Sequence, residues 1–230
     1  AAAGTAGKTG CGGQVHPNFG GVVGSVGHYS IVNTNALTNC VNYGKLTFKP
    51  HISVTAGTRQ YMGGVVGFSS AHVSNCHNYG EMTVDVNGIY AYCGGVVGLT
   101  QGGVTATDCT NYASFNFKHN IEGCLHDGVL AGKSDIKSFL AGVIAYAQGV
   151  VMNCHNYGVG TVYSNTKSLN SGAVVGYANA TSPVSNCSNS AAFTCSIDNI
   201  SEILSDYSGA APYHYVAGVI GNGTGNVNDI

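Results

Sequence analysis

Two kinds of short stretch alternate along this chain. In the first, a pair of β-branched residues is bracketed by glycines: Gly20-Gly21-Val22-Val23-Gly24, again as Gly63 to Gly67 and Gly94 to Gly98, and in looser form as Ala141 to Ala145, Gly172 to Gly176 and Ala217 to Gly221. The second is a fixed string of polar, apolar and aromatic positions, Asn39-Cys40-Val41-Asn42-Tyr43-Gly44, repeated from Asn75 to Gly80, Asp108 to Ala113, Asn153 to Gly158 and Asn186 to Ala191. Brief β-branched runs bounded by glycines predict strands, and the two-residue period of a strand puts neighbouring side chains on opposite faces. Cys76 therefore points inward where His77 points outward. Amphipathic helical periodicity is nearly absent. The exception is Ile200, Ile203 and Leu204 behind the capping pair Asn199 and Glu202, which predicts one short helix.

A fixed pair of blocks recurring along a chain predicts stacked repeats. The first residues of these blocks stand 43, 31, 47, 31 and 45 residues apart, so long and short rungs alternate. The extra length falls between the second block and the next first block, at Phe48 to Tyr61, Asn116 to Phe139 and Ser196 to Tyr215. Every second rung thus carries a long loop excursion from the same edge. The predicted fold is all-β: a single parallel β-helix, or β-solenoid, of about six rungs in double-rung repeats. It fills residues 1–230 as one domain, with blocks starting near 20, 63, 94, 141, 172 and 217. In such a stack identical positions recur about every 4.8 Å and form ladders. Cys40, Cys76, Cys109, Cys154 and Cys187 form a core column, and Asn42, Asn78, Asn111, Asn156 and Asn189 form an amide ladder.

Only 8% of the residues are charged, against roughly a quarter in an ordinary soluble domain. Such a surface lacks the charge repulsion that keeps molecules apart, so neighbouring copies or glycans are expected to cover it. With eight Lys and Arg and a net charge of −2, the chain is not expected to bind nucleic acid, and no basic amphipathic stretch points to a membrane surface. Phe139 to Met152 is too short to span a bilayer and contains a copy of the repeat, which makes it core. Of the nine cysteines, Cys11, Cys93, Cys124 and Cys195 stand off the column. Disulfides among those four would fit a secreted protein.

Candidate chemistry is sparse. Ala2 to Thr9 satisfies a relaxed phosphate-loop pattern, but no strand precedes it, no helix follows it, and the repeat already accounts for Gly7, Lys8 and Thr9. Cys76-His77 and Cys154-His155 resemble metal-ligand pairs, yet adjacent strand residues diverge and the two pairs lie two rungs apart, so neither metal nor cofactor is expected. The acids are scattered apart from Glu122, Asp127, Lys133, Asp135 and Lys137 in the middle excursion, and no catalytic residues are assigned. Sequons occur at Asn179, Asn186, Asn199 and Asn222; Asn186 lies in a strand block and Asn199 at a helix cap, which leaves Asn179 and Asn222 as the better acceptors. One threonine per rung, at Thr47, Thr83, Thr161 and Thr194 with Ser114 at the third, reads as ordinary strand packing rather than a crystal-binding face.

Gly94 to Gly98 followed by Val104 to Phe115 resembles the GLUG-type repeats of bacterial surface proteins. In those a Gly-x-Val-Gly strand precedes an aliphatic-x-Asn-Cys/Ser-x-Asn-x-Gly strand. The resemblance covers essentially the whole chain and implies an extracellular or cell-surface solenoid of adhesin-like or fibre-like type, with no catalytic residues. The two ends of the sequence match each other in phase. Joining Ile230 of one copy to Ala1 of the next gives a block spacing of 33, which is the short rung that the alternation requires. The expectation is a non-enzymatic filament subunit assembling with itself head to tail through uncapped ends, at Gly7, Lys8, Thr9, Asn228, Asp229 and Ile230. A window of a longer adhesin, binding glycans or a host or matrix surface through its excursions, is the other reading.

Overall fold

A computed structural model describes residues 16–27, 33–49, 58–87, 89–121, 136–179, 182–198, 213–223 and 227–228. The chain is an all-β solenoid. Each turn lays down up to five short strands, and each strand pairs in parallel with its counterpart one turn away. The first sheet contains Asn18–Gly20, Arg59–Gly63, Tyr90–Gly94, Lys137–Ala141, Ser168–Gly172 and Tyr213–Ala217. The second contains Val23–Val26, Val66–Ser69, Val97–Thr100, Ile144–Ala147, Val175–Ala178 and Ile220–Gly223, and the third runs from Asn33–Thr38 to Val227–Asn228. The fourth is a two-residue sheet of Val41–Asn42, His77–Asn78, Thr110–Asn111, His155–Asn156 and Ser188–Asn189. Leu46–Phe48, Met82–Val86, Phe115–His119, Gly160–Ser164 and Phe193–Ile197 make the fifth.

The repeat blocks are the corners of this cross-section. At Gly63-Gly64 the chain turns from the first sheet into the second. A side chain on Gly64 would put its Cβ 2.0 Å from the Gly95 carbonyl oxygen one turn away, so at this rung none fits without a shift of the next turn. The bend lets two successive valines, Val65 and Val66, both enter the core with no exposure. The opposite corner, between the third and fourth sheets, is made by Asn39, Asn75, Asp108, Asn153 and Asn186. All five have φ between 49° and 56°, the left-handed region that Asn and Asp tolerate best among residues with a side chain.

Among the described residues three apolar clusters run along the axis. Val65, Val66, Val73, Cys76 and their equivalents fill the space inside the second, third and fourth sheets. Met62, Met82, Val84, Phe117, Leu140 and Val162 fill the space between the first and fifth. Alternate residues of the first sheet reach a third cluster, Tyr61, Tyr92 and Phe139, packed against Phe68, Leu99 and Ala145 of the second. The first sheet is therefore covered on both faces, as parallel strands commonly are.

Two sequence expectations need adjustment. The residue opposite Thr83 and Thr161 in the third rung is Asn116, not Ser114, so the outward row reads Thr47, Thr83, Asn116, Thr161 and Thr194. Cys93 and Cys195 carry free thiols. Cys11 and Cys124 lie outside the described residues, as do the short helix at 199–204 and the excursions 50–57, 122–135 and 199–212. Those three excursions leave the fifth sheet and return to the first, at one corner of the cross-section.

Gln60 interrupts the interior. It has no exposure, and both side-chain polar atoms lack a hydrogen-bond partner. The same column holds Ala91 and Leu169, which shows that the site accepts apolar residues. Gln60→Leu is expected to raise stability by about 1–2 kcal/mol, since it removes the cost of an unpaired buried amide at little change in volume. A lower urea midpoint for the variant would mean that the amide has a partner.

Candidate functional site

The most ordered chemistry in the molecule lies on the fourth sheet and its two corners, where the Asn-Cys-x-Asn-Tyr block repeats. Reading outward from the core, the block makes four ladders. The cysteines come first: Cys76, Cys109, Cys154 and Cys187 are buried and Cys40, in the first rung, is half-buried. Each of these thiols lies 3.3–3.5 Å from the carbonyl oxygen two residues before it. Hydrogen bonding to the thiol of Cys109, and then burial, push Cys76 up; Cys154 is pushed up by its bonds to Cys109 and Cys187. The complementary lowering falls on Cys109 and Cys187, which share those bonds. Burial opposes that lowering at Cys109, where a thiolate would be stripped of hydration on every side.

The inner amide ladder is Asn42, Asn78, Asn111, Asn156 and Asn189. Every Nδ2 donates to the carbonyl oxygen two residues on at 2.8–3.0 Å, and those of Asn42, Asn78, Asn111 and Asn156 also donate to Oδ1 of the next asparagine at 2.8–3.0 Å. Gly44, Gly80, Gly158 and Ala191 return a backbone N–H to Oδ1. One side chain thus closes a tight turn within its rung and a bond between rungs. Every inter-rung bond in this ladder donates toward the C-terminal rung.

The corner residues form a second, exposed amide ladder whose bonds run the other way. Asn75 donates to Asn39 (2.6 Å), Asn153 to Asp108 (3.0 Å) and Asn186 to Asn153 (2.7 Å). Asp108 interrupts it, because its side chain lacks the amide N–H that an asparagine would give to Asn75. His77 takes that place: its Nε2 lies 2.8 Å from Asn75 Oδ1, an acceptor, so Nε2 carries the proton and the buried Nδ1 is left without a partner. The second histidine of the column, His155, pairs with Ser188 Oγ at 2.8 Å. With Thr110 between them in register, the two histidines do not converge. Among the described residues no three His, Cys, Asp or Glu side chains gather at one point.

The fourth ladder is aromatic. Tyr43, Tyr79, Tyr112 and Tyr157 stack face to face with centroids 5.2, 4.5 and 5.3 Å apart and planes 13°, 3° and 14° from parallel. They project into solvent, with exposures of 75%, 43%, 42% and 48%. Loss of hydration, and then the neighbouring phenol of Tyr112, raise the phenol of Tyr79 above its ordinary value.

The other candidates are placed as follows. Asn186 and Asn222 commit their side-chain nitrogens, Asn186 to the exposed ladder and Asn222 to Asn170 Oδ1 at 3.0 Å. A glycan on either would cost that bond. Asn179 lies in the link after the second sheet with its backbone N–H on Ala147, and Asn199 is outside the described residues. Asn228 ends the last strand of the third sheet opposite Ser185; residues 1–15, including Gly7, Lys8 and Thr9, and Asp229 and Ile230 are outside the described residues. Of the charged group in the middle excursion only Lys137 is described, at the head of a first-sheet strand.

One constellation has no counterpart in the repeat pattern. His119 Nδ1 lies 2.8 Å from Ser138 Oγ, which also meets Ser164 Oγ at 2.9 Å and Thr166 Oγ1 at 2.8 Å. A hydroxyl beside an imidazole is the arrangement of a nucleophile and its base. Here His119, Ser138 and Ser164 have no exposure and Thr166 has 2%, so the cluster is sealed from substrate and ties strands of two turns together. His119 and Ser164 stand opposite each other in neighbouring turns, while Ser138 and Thr166 come from other places, and no recurring residue type in the sequence announces the group.

No family model matches the chain, and no characterised protein and no solved structure matches it either; the likeness to GLUG-type repeats rests on the two strand motifs alone.

Proposed function

We propose that this protein is a non-enzymatic structural subunit of an extracellular or cell-surface filament, and that it stacks on copies of itself head to tail through the open ends of the solenoid. The observation that carries the proposal is that the core columns run out at both ends of the described stack. Val65 and Val96 have no exposure, and Val22, their equivalent in the first rung, is 45% exposed. Met62, Cys93 and Leu140 have none, and Val216, at the same register in the last rung, is 42% exposed. Unpaired strand edges beside exposed apolar columns are templates for another chain.

The opposed amide ladders favour one orientation. At the first rung the inner ladder offers an acceptor at Asn42 and the outer one a donor at Asn39; toward the last rung the inner ladder offers a donor at Asn189 and the outer one an acceptor at Asn186. Head-to-tail stacking sets donors toward acceptors in both ladders, whereas head-to-head stacking sets acceptor against acceptor. A surface with 8% charged residues adds little repulsion to oppose stacking. The extracellular placement draws on that sparse charge and on the GLUG-type motifs.

The alternative is an adhesin or glycan-binding module of a larger surface protein. It is favoured by the way all three long excursions spring from one corner of the cross-section. Electron microscopy of undenatured native material separates the two. Filaments with an axial repeat of about 29 Å, six rungs at the usual strand spacing, are expected of the polymer. Isolated short rods would overturn it.

A further inference from the structure

Among the described residues, large apolar side chains that remain exposed are confined to few places. Three of them, Val22, Tyr215 and Val216, belong to the end rungs. The other six, Tyr43, Tyr79, Tyr112, Met152, Tyr157 and Val159, all lie along the fourth sheet and its flanks. Head-to-tail stacking leaves this stripe uncovered, because it runs parallel to the axis.

We infer that the tyrosine stripe is a lateral interface, and that its occupant is the same stripe of a second copy of this chain; the inference rests on the filament reading above. The ring geometry decides the chemistry. Tyr79 and Tyr112 each have a neighbouring ring over both faces, at 4.5–5.3 Å and within 14° of parallel, so only ring edges and hydroxyls reach outward. A sugar recognised by stacking needs an open ring face, and the inner rings of this row have none. Rows of ring edges instead interdigitate with rows of like spacing, as in the dry interfaces between paired sheets. A second copy carries a row of matching period by construction. Beside the row run the His77, Thr110 and His155 column and the amides of Asn39, Asn75 and Asn153, so phenol hydroxyls of the partner meet donors and acceptors. Asp108 is the single acid in that amide row.

Area sets the consequence. Four rings at the strand spacing span about 14 Å, and a strip of that length one narrow sheet wide falls far below the roughly 800 Å² per partner of a stable protein pair. Two isolated subunits therefore pair only weakly. Once subunits are joined end to end, the strip recurs along the filament, and each new contact forms at the high effective concentration set by its neighbours. Filaments bundle although isolated subunits pair only weakly.

The test is a double variant, Tyr79→Ser with Tyr112→Ser, compared with wild type by electron microscopy and by sedimentation over a concentration series. Circular dichroism and a thermal melt verify the fold, which both exposed side chains leave intact. Wild type is expected to give laterally paired or bundled filaments, and the variant single filaments with the same axial repeat. Single wild-type filaments, or bundling that survives the double substitution, overturn the lateral interface and leave the axial reading standing. Absence of filaments in both overturns the axial reading. Side-by-side pairing is then read from sedimentation near the solubility limit, where wild type gains mass and the variant does not; equal profiles overturn it.

Discussion

Asn111→Ala is expected to lower the stability of the protein by about 4 kcal/mol. Asn111 has no exposure and stands at the middle of the inner amide ladder. Its Oδ1 accepts from Asn78, and its Nδ2 donates to Asn156 Oδ1 and to the Ala113 carbonyl. Truncation leaves three groups without that partner, in a space walled by neighbouring rungs, and each unpaired buried group costs about 1–3 kcal/mol. A water entering the vacated space recovers part of this, which sets the estimate toward the lower end of the sum. Asn189→Ala is the control. Asn189 is half-buried at the end of the ladder, and its loss is expected to cost about 1 kcal/mol because solvent reaches the groups it leaves. Urea midpoints at unchanged slope measure both. Equal costs for the two variants would mean that the ladder holds the turns and not the stack.

The same ladder marks how far the sequence alone reaches. Recurrence of Asn-Cys-x-Asn-Tyr gave the stacking axis, and strand alternation put Cys76 and Asn78 on the same side, since both are two-residue steps of one strand face. The role of the first asparagine was harder to see. Asn39, Asn75, Asn153 and Asn186 look like further ladder members, but the positive φ they share makes them corner residues first, a backbone property that alternation does not encode. The threonine row shows a different difficulty. Thr47, Thr83 and Thr161 each stand four residues after the tyrosine of their rung, and the same offset leads to Asn116, whereas choosing by hydroxyl type leads to Ser114. Offset is the physical rule, because register is fixed by the hydrogen-bonded turn at Asn42 and its equivalents. The cluster of His119, Ser138, Ser164 and Thr166 lies beyond either rule, since His119 faces Ser164 in register without sharing its residue type, and Ser138 and Thr166 join them from other places in the stack.

Gly95→Val is expected to have the largest effect of any single substitution considered, about 4 kcal/mol or more, with much of the protein failing to fold. A Cβ at this position would stand 1.9 Å from the Gly142 carbonyl oxygen and 2.9 Å from Cγ of Asn111. Neither neighbour is a flexible side-chain end: one is backbone of the next turn and the other is the centre of the amide ladder. The fifth rung calibrates the expectation. Ala173 occupies the equivalent place there without exposure, so one methyl group is accommodated where the stack approaches its end. Gly95→Ala should accordingly cost about 1–3 kcal/mol, the usual range for overpacking. Valine adds two methyls to that same carbon, and they can turn away from the Gly142 carbonyl only by pushing on Asn111. The rung spacing and the ladder are thus lost together, which places the change among the few that exceed 4 kcal/mol. Folded yield and the urea midpoint of the series Gly, Ala, Val measure the gradient. A valine variant within 1 kcal/mol of wild type would show that the rungs have slack at this corner. The amide ladder alone would then set their spacing, and Asn111→Ala would become the more damaging change.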